Sequence, residues 1–167
     1  PTTEATLSVV VVSEDDDGDP MTYSYAWSVN GVDTGETSDT LDGATWFTAG
    51  AAIAVTVTAN DGEEDGEPVT SAEVSVDNTA PEITSVTTSP NPLYTDSIAQ
   101  AIVDVNDVDG DVVSLSYIWI VNGALVASET SSTLDGNLHF DVGDRVIARV
   151  TPSDGALSGA VVASAMV

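Results

Sequence analysis

Acidic side chains are concentrated in two short loops of this sequence. One loop reads Asp15-Asp16-Asp17-Gly18-Asp19, and the other reads Asp107-Val108-Asp109-Gly110-Asp111. Aspartates that alternate around a glycine can turn their carboxylates towards one point, and carboxylate oxygens are the ligands that calcium prefers. The spacing is not that of an EF-hand, because the glycine comes fourth and Ile118 stands at the twelfth position, where that loop needs Glu. The loops therefore predict calcium sites of another kind.

Each acidic loop opens a longer repeated unit. An aromatic strand and an Asn-Gly turn follow it, as Tyr23-Ser24-Tyr25-Ala26-Trp27-Ser28-Val29-Asn30-Gly31 and as Leu115-Ser116-Tyr117-Ile118-Trp119-Ile120-Val121-Asn122-Gly123. Trp27 and Trp119 are 92 residues apart, and further along the shift is 93, where Asp61-Gly62 returns as Asp154-Gly155. A repeat of this length predicts tandem copies of one fold.

The elements that position these loops are predicted to be β-strands. Apolar residues alternate with polar or small ones, as in Ile53, Val55 and Val57, and no helical period is visible. We predict an all-β chain of two sandwich modules, at 1–77 and 82–167, with a linker at 78–81. By the shift of 92, Pro1 corresponds to Leu93, so the first module is expected to lack the opening strand of the second.

The charge balance restricts the partners. Asp and Glu number 28 against 2 Lys and Arg, for a formal net charge of −26. Nucleic acid is excluded as a partner, because phosphate binding needs cations. Repulsion among this many negative charges destabilises the folded chain unless divalent cations, concentrated salt or a basic partner neutralise them. Cysteine is absent, which excludes thiolate metal sites. With no signal peptide and no long apolar run, we expect no direct membrane insertion.

Several motifs resemble known surface repeats. The tryptophan on the third strand and the many short strands resemble an immunoglobulin-like β-sandwich. The run Tyr117-x-Trp119-x-Val121-Asn122-Gly123 is similar to the strand and turn of PKD (polycystic kidney disease) repeats. Asp104-Val105-Asn106-Asp107 and Asp77-Asn78-x-x-Pro81 resemble the calcium motifs of cadherin-like repeats. The chain thus resembles tandem immunoglobulin-like surface repeats of bacteria or archaea, which implies bound calcium and an extracellular or cell-surface location.

The immunoglobulin-like order brings two loops of the second module to the end that faces the linker. These are the loops at 106–112 and 152–158. The predicted ligands at this junction are Asp77, Asn78, Asp107, Asp109, Asp111 and Asp154. The copy of the site in the first module would use Asp15, Asp17, Asp19 and Asp61. Asp-Gly-Asp loops are also ordinary solvated turns, and this alternative stays open.

Both cations of the chain are predicted to share an apolar face of the second module. Alternation places Ile118 and Ile120 outward on one strand, and it does the same for Arg145, Ile147 and Arg149 on another. An apolar patch rimmed by charge of the opposite sign to the rest of the molecule indicates a docking surface. A register slip of one residue would turn these side chains inward instead, and that alternative also stays open.

No catalytic set is visible, and we expect no enzyme. The single histidine, His139, has Trp46 as its counterpart in the other copy, so a catalytic triad is not predicted. The expected function is a structural segment of a secreted or surface protein, such as a stalk, adhesin or filament, stiffened by calcium at the module junction. Its open sheet edge could accept a strand from a neighbouring copy or adjacent repeat. The alternative also stays open that this stretch is a window cut from a longer array and that the edge is open only for this reason.

Two other functions remain in view. One is an accessory module of a secreted hydrolase that binds surface glycans or proteins. The other alternative is that the composition reflects the environment, because an excess of Asp with almost no Lys is typical of adaptation to concentrated salt. In that case the carboxylates hold water and salt ions without any specific binding site.

Overall fold

The structure, a computed structural model, describes residues 1–16 and 18–167. The chain forms two compact units, Pro1–Thr79 and Ala80–Val167. The boundary between them lies inside the segment 78–81.

The first unit contains seven short strands and one helical turn. In chain order these are β1 Thr6–Ser8, β2 Thr22–Val29, β3 Val32–Asp33, β4 Thr40–Asp42, α1 Gly43–Trp46, β5 Ala52–Asn60, β6 Val69–Thr70 and β7 Val74–Ser75. Strands β1 and β4 form one antiparallel sheet. The other sheet has the order β3-β2-β5-β6, and β7 also pairs with β5.

The second unit repeats this order with one strand more in front and with a single last strand where the first unit has β6 and β7. Its elements are β8 Glu82–Ser89, β9 Ile98–Asn106, β10 Ser114–Val121, β11 Ala124–Val126, β12 Thr133–Asp135, α2 Gly136–His139, β13 Val146–Ser153 and β14 Val162–Ala163. The sheets have the orders β12-β9-β8 and β11-β10-β13-β14, and all pairs are antiparallel. The predicted all-β sandwich fold is confirmed.

The two modules differ at one sheet edge. In the second, β9 is covered by β12 on one side and by β8 on the other. In the first, β1 occupies the place of β9 and pairs with β4, and no described strand covers its other edge. The first module therefore lacks the counterpart of β8, as predicted.

Each sandwich closes around a buried tryptophan. Trp27 and Trp119 lie on the inward sides of β2 and β10 and are almost fully buried. The indole N–H of Trp27 donates to the backbone oxygen of Ser38 at 2.8 Å, and that of Trp119 donates to Ser131 at 3.0 Å. The period-2 alternation of these strands thus fixes which face enters the core.

The predicted Asn-Gly hairpin turns are confirmed. Asn30 and Gly31 have φ values of 50° and 75°, and Asn122 and Gly123 have 51° and 83°. These left-handed conformations match the twist of the paired strands, which is why Asn-Gly is favoured here.

The observed elements differ from the predicted ones in three places. Alternation of Leu7, Val9 and Val11 predicts a strand over 5–13, but only β1 is assigned there, because the single described backbone bond of residues 9–13 to a neighbouring strand runs from the N–H of Val9 to the oxygen of Asp39. The strand expected over 69–76 is divided into β6 and β7. The single turns α1 and α2 were not predicted, because four residues cannot display a helical period. No helix in the described ranges is long and apolar enough to span a membrane.

Candidate metal site

Three aspartates converge in the loop between β9 and β10. Asp107, Asp109 and Asp111 each offer one carboxylate oxygen, and these oxygens all lie within 4.8 Å of one another. Asp107 and Asp109 are half-buried, whereas Asp111 is exposed. The alternating spacing read from the sequence therefore does bring these three carboxylates together.

Asp107 organises the backbone of this loop. Its Oδ1 accepts hydrogen bonds from the backbone N–H of Asp109 at 2.9 Å and of Asp111 at 3.4 Å. The N–H of Gly110 donates to the backbone oxygen of Asp107 at 3.2 Å, and Gly110 has φ +79°. An Asp that accepts from the backbone ahead of it, followed by a glycine in the left-handed region, makes a tight turn. This turn directs the later aspartates back towards Asp107.

The second carboxylate oxygen of Asp107 is buried and has no hydrogen-bond partner among the described residues. A buried charged oxygen without a donor is costly to leave unsatisfied. A bound cation would satisfy it and would also neutralise three carboxylates held close together. The all-oxygen donor set suits a hard divalent cation better than a soft one.

The acidic loop of the first module has the same local geometry. Asp15 Oδ1 accepts from the N–H of Asp19 at 2.9 Å, which repeats the bond between Asp107 and Asp111. Gly18 has φ +81°, close to the value at Gly110. Asp17, the counterpart of Asp109, lies outside the described residues.

A surface cavity of about 200 Å³ lies beside this first loop. Asp15 and Asp61, both predicted ligands, are part of its lining. Three further carboxylates that the sequence did not single out also line it: Glu14, Glu64 and Asp65. Asn60 donates through Nδ2 to Asp65 Oδ1 at 2.9 Å, which brings Asp65 back towards the end of β5. The Asp61-Gly62 turn can be predicted from the sequence, but the hydrogen bond from Asn60 to Asp65 across this turn cannot.

Asp61 and Asp154 occupy equivalent turns after β5 and β13. Asp61 Oδ1 accepts from the backbone N–H of Glu64 at 2.9 Å and Glu63 at 2.7 Å, and these bonds hold the pKa of Asp61 below its usual range. Asp154 Oδ1 accepts from the two residues at the same positions, at 2.7 and 2.6 Å. Asp154 is not one of the three clustered carboxylates.

The remaining predicted ligands, Asp77 and Asn78, lie at the end of the first unit. Asp77 Oδ2 is 3.5 Å from the backbone nitrogen of Pro1, and the N–H of Asp77 donates to the Pro1 oxygen at 2.7 Å. Their participation in the cluster of the second unit stays a prediction.

The predicted docking residues lie on the sheet that contains β10 and β13. Ile118 is paired with Arg149, and Ile120 with Ile147. Ile118 is 46% exposed, and Arg145 and Arg149 are also exposed. Neither arginine forms an ion pair with a carboxylate in the described part of the chain.

The single histidine is half-buried beside α2. His139 Nε2 lies 3.4 Å from Glu129 Oε1, without the geometry of a hydrogen bond. His139 does not belong to a metal-binding cluster among the described residues.

Comparison with models of known protein families finds no match, and comparison with curated proteins finds no matching sequence.

Proposed function

We propose that this chain is a non-enzymatic structural segment of a secreted or cell-surface protein, in which calcium bound in the acidic loops stabilises tandem β-sandwich modules. The resemblance to PKD and cadherin-like repeats supports this role. So does the duplication of one sandwich together with its acidic loop, because a repeated module is the usual way to build length.

The observation that carries the calcium proposal is the unpartnered Oδ2 of Asp107. The other oxygen of this carboxylate, Oδ1, already accepts hydrogen bonds from two backbone N–H groups. The turn of the loop therefore explains the position of Oδ1 but not the burial of Oδ2. A solvated turn would expose the second oxygen to water, whereas here it is buried. Calcium takes six to eight oxygen ligands. The three carboxylates would supply part of this set, with backbone oxygens or water as the rest.

Thermal unfolding of the whole chain tests the proposal. Calcium should raise the melting temperature saturably in low salt, because an ion that binds only the folded state stabilises it by mass action, by about 2.7 kcal/mol at a hundredfold excess over Kd. The double variant Asp109→Ala with Asp111→Ala should abolish this rise.

The control for lost charge is Asp96→Asn, which removes an exposed carboxylate of the same module outside the cluster. It should keep the calcium response of the parent chain. If NaCl at matched ionic strength reproduces the calcium effect, or if the double variant responds like the parent, the acidic loops are solvated turns and the salt-adapted interpretation replaces this one.

The second candidate function, a module that binds other proteins, is favoured by the face around Ile118 and Arg149. Ile118, which is exposed, and the half-buried Ile120 and Ile147 lie beside the only two arginines of a chain with net charge −26, and such a face suits an acidic, partly apolar partner. Binding of another protein is compatible with the structural role. The double variant Ile118→Ser with Arg149→Ser should weaken this binding and leaves the acidic loops unchanged.

A further inference from the structure

The outer face of the sheet β11-β10-β13-β14 has a row of large apolar side chains that runs across its strands. Ile120 is paired with Leu125 on one side and with Ile147 on the other. Met166 lines a surface cavity of about 510 Å³ together with Ile147, so it continues the row on the same face. Leu125 is 63% exposed. Large apolar residues that are exposed side by side mark a surface of contact.

The first module shows that the fold does not require this row. By the repeat shifts of 92 and 93, the equivalent residues are Asp33, Ser28, Ala54 and Glu73. Ser28 is paired with Asp33 and with Ala54, so the register of the two sheets is the same. One fold thus presents an apolar row in the second module, and in the first a row of small residues with a carboxylate at each end. Packing inside the sandwich does not account for this difference.

The two arginines flank the apolar row. Arg149 lies on β13 and Arg145 just ahead of it, each two residues from Ile147 and therefore on the same face. Both arginines are exposed. None of the described outward residues of β10, β11, β13 and β14 is a carboxylate. The same face of a second copy is therefore excluded as the partner, because it would bring arginine against arginine.

The equivalent face of the first module is complementary in charge and in bulk. Asp33 and Glu73 are both exposed, and they lie at the two ends of the row. Ser28 and Ala54, between them, have small side chains that leave room for large ones. Two cations and a set of aliphatic side chains on one face thus correspond to two anions and a shallow centre on the other.

The spacing of the charges also agrees. Four residues along one strand separate the two arginines by about 13 Å, because a strand rises about 3.3 Å per residue. Three steps between neighbouring strands separate Asp33 from Glu73 by about 14 Å. The first distance runs along a strand and the second runs across the strands. The charges therefore meet when the two sheets cross at nearly right angles, which is one of the two common ways in which sheets pack face to face.

We propose that this outer face of the second module docks on the equivalent face of the first module in another copy of the chain. The inference rests on the protein-binding role proposed for the face around Ile118 and Arg149, and it names the partner. Because the contact joins two different surfaces, copies can add to one another in series. Each copy has a net charge of −26 and repels the next at long range. At about 0.15 M salt the Debye length is only about 8 Å, so the charges at the contact itself decide the outcome.

Sedimentation equilibrium of the whole chain in about 0.15 M NaCl tests the proposal. We expect the average mass to rise above the 17.0 kDa of one chain as the concentration increases from about 1 μM to about 1 mM. Arg145→Ser with Arg149→Ser should weaken this association by about tenfold or more, and so should Asp33→Asn with Glu73→Gln. All four positions are exposed, so both double variants should keep the melting temperature of the parent.

The control for lost negative charge is Glu4→Gln with Glu63→Gln. These residues are exposed carboxylates of the first module that lie outside the strands of this face. The control variant should associate at least as tightly as the parent, because it removes the same charge without altering the contact.

A mixture of the two defective variants identifies the faces. The arginine variant keeps the acidic face, and the carboxylate variant keeps the arginine face, so one intact contact is possible between them. We expect the mixture to form one-to-one pairs, although neither variant associates by itself. Non-specific adhesion between apolar surfaces would not produce this result.

The proposal is overturned if the parent stays monomeric up to about 1 mM, if either double variant associates like the parent, or if the mixture does not pair. Melting temperatures of the same samples with calcium and with chelator keep this inference separate from the calcium proposal. A monomeric parent with a full calcium response would overturn the docking alone. Association without any calcium response would support the docking and contradict the calcium sites.

Discussion

The two oxygens of the Asp107 carboxylate have separate roles. Oδ1 holds the loop closed through two backbone N–H groups, and Oδ2 is buried without a partner. An asparagine keeps an acceptor oxygen but loses the charge, whereas an alanine loses both. Substitutions at this residue can therefore distinguish a structural aspartate from a metal ligand.

We predict that Asp107→Asn keeps the free energy of unfolding in chelator within about 0.5 kcal/mol of the parent but removes its rise with calcium. Asp107→Ala should lower the free energy of unfolding in chelator by about 1–2 kcal/mol, because two hydrogen bonds are lost. Urea denaturation with calcium and with chelator measures both. A full calcium response in Asp107→Asn would mean that this carboxylate is not a ligand.

Asp144 gives a prediction about pH. The side chain of Asn122 donates to Asp144 Oδ1 at 2.7 Å and the backbone N–H of Asp141 donates to Oδ2 at 2.8 Å, and these bonds lower the pKa of Asp144 below 3.8. A carboxyl whose pKa is lowered by folding stabilises the folded state in full well above pH 3.8. That contribution is lost as the pH falls through the folded pKa.

The difference in unfolding free energy between the parent and Asp144→Asn should thus be larger at about pH 7 than at about pH 3. Urea denaturation at both values measures it. Asp96→Asn is the control, because it removes an exposed carboxylate from the same module. A difference for Asp144→Asn that stays constant or grows in acid would contradict the assigned hydrogen bonds.

At the scale of elements, the segment Thr-Leu-Asp-Gly, which occurs at 40–43 and again at 133–136, has a steric cause. Gly43 opens α1, and its N–H donates to the backbone oxygen of Ala5 at 2.9 Å. A Cβ at this position would collide with the same oxygen and would lie 2.6 Å from the oxygen of Thr3. Because these neighbours are backbone atoms, they cannot move aside easily.

We therefore expect Gly43→Ala to destabilise the first module by about 1–3 kcal/mol. Gly66→Ala is the matched control, since it adds the same methyl group in the same module at ordinary contact distance. Chemical denaturation of the two variants beside the parent measures the difference. Equal stability of the two variants would show that the packing around Gly43 tolerates a methyl group.

The long strands were predictable because their signals are local. Alternation gives β2, β5 and β10, and Asn-Gly specifies the turns after β2 and β10. Residues 9–13 are four valines and a serine and continue the predicted strand of residues 5–13, yet they form no strand in the described structure, because strand formation also needs a partner. The convergence of three carboxylates followed from their spacing. The contribution of Asp65 to an acidic cavity did not, since it depends on a hydrogen bond across a turn.

At the scale of the whole molecule, 28 acidic residues against 2 basic ones dominate the electrostatics. Basic groups can pair with few of these charges: the nitrogen of Pro1 lies 3.5 Å from a carboxylate oxygen of Asp77, and Nε2 of His139 lies 3.4 Å from one of Glu129. Repulsion between exposed charges is screened by salt, with a Debye length that falls from about 30 Å at 0.01 M to about 3 Å at 1 M.

We expect NaCl to raise the melting temperature gradually over this range, without saturation at low concentration and equally for the parent and for Asp109→Ala with Asp111→Ala. Thermal unfolding monitored by circular dichroism measures it, with KCl as a control for ion identity. A melting temperature that is flat or falls with NaCl would show that repulsion does not limit the stability of this fold.

The division into two units also has a mechanical consequence. Each unit encloses a core of its own, around Trp27 in the first and around Trp119 in the second. When the chain is stretched from its ends, one core can therefore open while the other still holds, so the segment lengthens in two separate steps.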